Sequence, residues 1–131
     1  MELEPKHLLP YFNHGLEFLC IDLDSSESDV LTWIAFDLTG GKFELRISNI
    51  FIEIDELTSH KEEKYFPILK PLSDITEHHA KVWGYSSVEK LIKAIREKEL
   101  AHHYMEELFE DFFDVNDLIP KGFAVDINTI N

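Results

Sequence analysis

The sequence predicts an α+β domain spanning residues 1–131: an N-terminal antiparallel sheet of three to four strands, then two to three helices and a short C-terminal strand. Three observations carry that expectation. Residues 16–54 are rich in β-branched and aromatic side chains with polar interruptions near a period of two. Residues 73–113 switch to helical spacing with capping signals. A chain of 131 residues has room for one core rather than two, since domains run to roughly 100–200 residues.

Strands are expected over 16–21, 30–38 and 43–47, with a fourth over 50–54. Between the second and third, Gly40 and Gly41 can take the positive φ that a two-residue hairpin loop requires. Residues 22–29 form a looser polar connection and 55–64 a charged loop, and connections this short favour antiparallel pairing. Residues 66–72 are apolar, but Pro67 and Pro71 remove ladder donors and fix φ. That segment is therefore expected to cross as extended chain rather than enter the sheet as a central strand.

Ser73 or Asp74 is expected to cap a short helix ending near Trp83, with Gly84 as its stop. Ser86-Ser87-Val88-Glu89 fits a capping box that opens a second helix, whose Val88, Leu91, Ile92 and Ile95 share one stripe. Lys90, Lys93, Arg96 and Lys98 lie mostly off it. Continuing the stripe would bury Glu99, His102 or His103, and Glu106; the apolar set restarts instead at Ala101, Tyr104, Met105, Leu108, Phe109, Phe112 and Phe113. A break near 98–102, or a further helix on a different surface, follows from that change of phase. After Asp114, Asn116 and Asp117 close the helical region, and 122–127 reads as the last strand. No internal repeat or low-complexity tract is present.

Asp and Glu total 26 against 12 Lys and Arg, a formal charge of −14. Such a surface repels phosphate backbones, so no direct nucleic-acid binding is expected; a nucleic-acid connection would be competitive, through a basic surface built for nucleic acid. Ten Phe, four Tyr and two Trp with a hydrophobic fraction of 44% suffice for a packed interior. The N-terminus has no basic region leading into an apolar one, and no 18-residue apolar run occurs, so neither secretion nor a membrane partner is expected. Cys20 is the single cysteine, which excludes an internal disulfide and suits a reducing compartment; it reads as a small buried hydrophobe.

No complete catalytic set is present. The chain lacks a Gly-x-Ser-x-Gly elbow, a Gly-rich phosphate loop and any zinc-ligand spacing, so no catalytic residue, metal ligand or cofactor is assigned. The histidine doublets His78-His79 and His102-His103 offer the one metal alternative, with His102 and Glu106, and His103 and Glu107, at i and i+4. A site there would join His78 or His79 to His103 and Glu107. Because adjacent residues on a helix point about 100° apart, each doublet supplies one ligand to a given site. His79 also lies where a histidine at the edge of a core is ordinary.

Charge arrangement carries more. Residues 99–120 contain acidic groups and no Lys or Arg, and Glu106, Glu107, Glu110, Asp111 and Asp114 are expected to share the helix face opposite the aromatic stripe. These five carboxylates are the candidate partner-binding residues. A charged face opposite a core stripe is also what an ordinary solvated helix shows, but one without compensating lysines costs self-repulsion.

Tyr11 with Gly15-Leu16, residues 67–75 (Pro-Ile-Leu-Lys-Pro-Leu-Ser-Asp-Ile), Phe113-Asp114-Val115 and residues 118–130 resemble a group of small uncharacterised bacteriophage and prophage proteins. The resemblance covers about a third of the chain and implies context rather than chemistry: a protein made inside an infected or lysogenic bacterium, in the host cytoplasm. It transfers no catalytic residue. The resulting expectation is a non-enzymatic phage accessory protein, anti-CRISPR-like, that mimics nucleic acid and blocks a host protein with a basic groove, such as a CRISPR effector. The alternatives are a small metal-dependent enzyme using the histidine doublets and a homo-oligomeric phage assembly factor using aromatics such as Trp83, Phe109 or Phe113.

Overall fold

The computed structural model describes residues 3–25, 27–39, 42–47, 50–58 and 63–130. Segments rich in β-branched and aromatic side chains, interrupted by polar residues, build four consecutive antiparallel strands: β1 (Glu17–Asp22), β2 (Ser28–Thr39), β3 (Lys42–Ile47) and β4 (Ile50–Glu53). In the β2–β3 hairpin Thr39 pairs with Lys42, which leaves two residues for the connection. Those two, Gly40 and Gly41, lie outside the described residues.

The proline-bearing segment departs from expectation. Glu63–Leu69 is a strand, β5, antiparallel to β1 with Phe18 opposite Pro67, and the short β6 (Val125–Asp126) adds parallel to its other edge. The order is β4-β3-β2-β1-β5-β6. Pro67 is tolerated because β6 joins β5 only at Ile68 and Leu69, so at the proline one edge of the strand carries no ladder to break. Lys70 then continues along the C-terminal segment: its N–H donates to the Phe112 carbonyl at 2.8 Å, and its carbonyl accepts from the Asp114 N–H at 2.8 Å.

Before β1 the chain makes a helical entry without a clear sequence signal. The short helix α1 (Pro5–Leu8) runs into a 3-10 turn over Leu9–His14, which Gly15 ends at φ 77°. Pro5 supplies the preset φ of a first helical position. His7 turns back so that its Nδ1 accepts the Glu4 N–H at 2.9 Å.

The remaining helices are α2 (Glu77–Val82), α3 (Val88–Arg96) and α4 (His102–Glu110). Ser73 and Asp74 do not cap α2. They sit in a 3-10 turn, Leu72–Asp74, closed by the Ile75 N–H on the Leu72 carbonyl at 3.1 Å, after which Ile75 is extended. Thr76 is the cap: its N–H donates to His79 Nδ1 at 3.2 Å in a capping box closed by histidine. Gly84 does stop the helix, at φ 84°. For α3 the cap is Ser87, one residue later than the Ser86–Glu89 box implies, with its hydroxyl accepting the Lys90 N–H at 3.3 Å.

Two apolar clusters result. Leu8, Tyr11, Phe18, Leu45, Ile47, Leu69 and Leu118 pack between one face of the sheet, the N-terminal turns and the C-terminal segment. Leu72, Ile75, Leu91, Ile95, Leu108 and Phe113 pack among the helices. Phe109, on α4, touches both. Among the described residues no helix is long and apolar enough to cross a membrane.

Candidate functional site

The expected break between the last two helices is a single left-handed residue. Lys98 takes φ 58°, and its Nζ crosses to the Val115 carbonyl at 3.2 Å and to Asn116 Oδ1 at 3.0 Å. The chain re-enters helix at His102 with its apolar stripe turned to a new surface. Leu108 is fully enclosed, while Tyr104, Met105 and Phe109 are half-buried. The Phe109 ring meets Tyr11 edge-on at 5.0 Å, and Tyr104 stacks on Trp83 at 4.8 Å. These contacts fix the rotation of α4 and so decide which side chains face water.

Glu106, Glu107, Glu110 and Asp111 do. Glu106 pairs with His102 at 3.0 Å on the exposed surface. Among the described residues Glu107, Glu110 and Asp111 have no lysine or arginine within ion-pair distance.

Asp114 does not belong with them. The helix ends at Glu110, and Phe112 takes φ 62°, reversing the chain where a continued helix would have kept Asp114 in line. Asp114 is 2% exposed, and its two carboxylate oxygens accept the N–H groups of Leu118 at 2.7 Å and Ile119 at 2.8 Å. Burial pushes its carboxyl above the ordinary carboxylate range, against the two amides, which pull it down. It is a structural clasp. Beside it the Tyr11 hydroxyl donates to the Phe113 carbonyl and accepts the Val115 N–H at 3.4 Å, and burial raises that phenol far above its usual range.

Three of the four doublet histidines are engaged separately, and His78 is exposed. His79 caps α2 and its ring stands edge-on to Trp83 at 5.7 Å and Phe113 at 5.8 Å; His103 lies against Tyr104 at 4.0 Å; His102 holds Glu106. Among the described residues no group of three or more His, Cys, Asp or Glu is placed to hold a metal ion. The aromatics suggested for self-association are likewise engaged: Phe113 is buried, and Phe109 and Trp83 pack against the cores.

Half of the basic segment is structural. Arg96 makes a two-pronged contact with Asp117 at 3.1 and 3.2 Å, and with Lys98 it ties α3 to the loop after α4. Lys90 and Lys93 remain exposed. Cys20 is buried as expected and its thiol donates to Glu63 at 2.9 Å; burial first, then that carboxylate, pushes it up to about 12, which keeps it a thiol.

Compared with known proteins, the chain matches no family model, no curated protein and no solved structure.

Proposed function

We propose that this chain is a non-enzymatic binding protein that occupies the basic groove of a nucleic-acid-binding bacterial immune effector, such as a CRISPR nuclease, and blocks it. The observation that carries the reading is the outer side of α4 and its C-terminal cap, with Glu106, Glu107, Glu110 and Asp111 exposed and no described Lys or Arg beside them. From the first to the last of these the chain rises about 7.5 Å at helical pitch, an average spacing of about 2.5 Å of axis between successive negative charges. Duplex DNA carries about one per 1.7 Å. A single strand carries about one per 3.4 Å, so a groove lined with Lys and Arg to hold phosphates meets a linear charge density between those of one strand and the duplex.

The net charge of −14 adds long-range attraction to such a groove. The phage-type resemblance of residues 67–75 and 118–130 supports a partner inside a bacterium. Asp114 is excluded from the contact by its burial.

The test is inhibition of DNA cleavage by a panel of purified CRISPR nucleases. Wild type should inhibit at least one of them, less so as salt rises, and the triple variant Glu106→Lys, Glu107→Lys, Glu110→Lys should lose inhibition while keeping its circular dichroism spectrum. Equal inhibition by the folded triple variant would refute the placement, and no inhibition across the panel would count against the choice of partner.

A further inference from the structure

The sheet has a second face that neither core uses. Strands covered on both sides read as continuous apolar runs, whereas a half-solvated antiparallel sheet alternates. Residues 65–69 of β5, Tyr-Phe-Pro-Ile-Leu, are such a run, and so are residues 18–21 of β1. Phe18, Cys20, Tyr65 and Leu69 point into the main core.

Residues paired across a sheet share a face, so the register assembles the opposite one. Val30, Leu19 and Phe66 stand in a row across β2, β1 and β5, and Ile68 stands beside Val125 across β5 and β6. None of these five belongs to either apolar cluster. Val30 is 47% exposed and Ile127, at the margin, 41%, while Ile68 between them is buried at 9% and Leu19, Phe66 and Val125 are half-buried. Val30, Ile68, Ile127 and Ile130 line a hollow of about 390 Å³, and the fifth side chain in its wall is Glu17.

Glu17 selects what fits. It is exposed, and among the described residues no cation lies within ion-pair distance of it. An all-apolar cover would bury an unpaired carboxylate, which is strongly unfavourable. A second copy of this chain would bring carboxylate to carboxylate between two molecules of charge −14 each. We infer that this face binds an amphipathic basic segment of another protein, whose apolar side chains fill the hollow between Val30 and Ile127 and whose Lys or Arg pairs with Glu17. The site is separate from the α4 carboxylates, since α4 packs through Phe109 and Leu108 into the cores that this face avoids.

The probes are a fluorescent amphipathic Leu/Lys peptide and a Leu/Glu peptide of the same pattern, titrated onto the full chain by anisotropy at physiological ionic strength. The Leu/Lys peptide should bind and the Leu/Glu peptide should not. Glu17→Gln, at an exposed position that leaves the fold intact, should weaken binding roughly tenfold, as loss of a partly desolvated charge pair does. Val30→Asp should abolish it, and the α4 triple variant should stay within about twofold of wild type, which separates this site from general attraction to an acidic protein. Four results overturn the inference: no binding of the Leu/Lys peptide, equal binding of the Leu/Glu peptide, indifference to Glu17→Gln, or greater loss in the α4 variant than in Glu17→Gln. A wild-type dimer in sedimentation that Val30→Asp dissociates would do the same, by giving the face to a second copy.

Discussion

Replacing Asp114 with alanine removes the acceptor of two backbone amides at once. The Leu118 and Ile119 N–H groups sit 2.7 and 2.8 Å from the carboxylate, and Leu118 is fully enclosed, so water does not replace the lost partner there. A hydrogen bond to a charged group contributes roughly 1.5–3 kcal/mol, and an amide left buried without a partner costs about 1–3 kcal/mol. Against this stands the desolvation of the carboxylate, the larger influence on its raised pKa. The net loss expected for Asp114→Ala is about 3 kcal/mol, and for Asp114→Asn, which keeps one acceptor oxygen, about 1–2 kcal/mol. With a urea slope near 2 kcal/mol per molar, the alanine variant should lose roughly 1.5 M of its midpoint at neutral pH. Because the folded chain holds the Asp114 proton more tightly than the unfolded chain, wild type should gain stability from this group as pH falls through the raised folded value towards 3.8. Asp114→Asn should lack that gain. An alanine variant within about 0.5 kcal/mol of wild type would refute the clasp.

His7 should give the opposite pH dependence in a different window. Burial lowers its pKa below the ordinary 6.5, so the unfolded chain takes up a proton first; its contribution is complete above about 6.5 and is lost as pH falls below that value. Protonation at Nδ1 also removes the acceptor for the Glu4 N–H, so the urea midpoint of wild type should fall on acidification more steeply than that of His7→Gln, and parallel slopes would exclude His7 as the cause. On α4, Glu107→Lys and Glu110→Lys should each raise stability by about 0.3–1 kcal/mol, because they put cations where the helix dipole is negative. Thermal unfolding at low salt reads this, and a destabilised variant would mean that these carboxylates have partners.

The α+β order of elements is legible because its causes are local. Runs of β-branched and aromatic residues with polar interruptions give β1 to β4, and the change of stripe phase gives the break at Lys98. What escaped is set by contacts far apart in sequence or by residues doing another's work. Pro67 argues against a strand until the partner on its other edge proves to begin one residue later. The capping boxes at Glu4 and Thr76 are closed by His7 and His79 rather than Glu or Gln, so the usual pattern passes over them. Four of the five candidate carboxylates lie where the helical period puts them. Asp114 does not, because Phe112 takes a left-handed turn that normally announces itself with glycine. The open sheet face is written in residues 65–69, whose apolar run differs from the alternation of a half-solvated strand.

The end of α4 is held in place against its own electrostatics. Glu106 with Glu110, and Glu107 with Asp111, are like charges at i and i+4, each pair costing about 0.2–0.5 kcal/mol. They crowd the negative end of the helix dipole, and the last turn has no basic residue to offset it. Burying Leu108 alone contributes roughly 1.5–3 kcal/mol, and Phe109, Met105 and Tyr104 add to it, so the inner face can carry the burden of the outer one. An incoming guanidinium or ammonium group gains from both sources of negative potential at once. It recovers repulsion already present in the free chain instead of having to create a new complementary field. Stability and binding should therefore move in opposite directions on this face: the substitutions to lysine that steady the free helix remove what a basic groove would grip. A Glu107→Lys, Glu110→Lys chain that was both more stable and an undiminished inhibitor would sever the link between the unfavourable helix end and recognition.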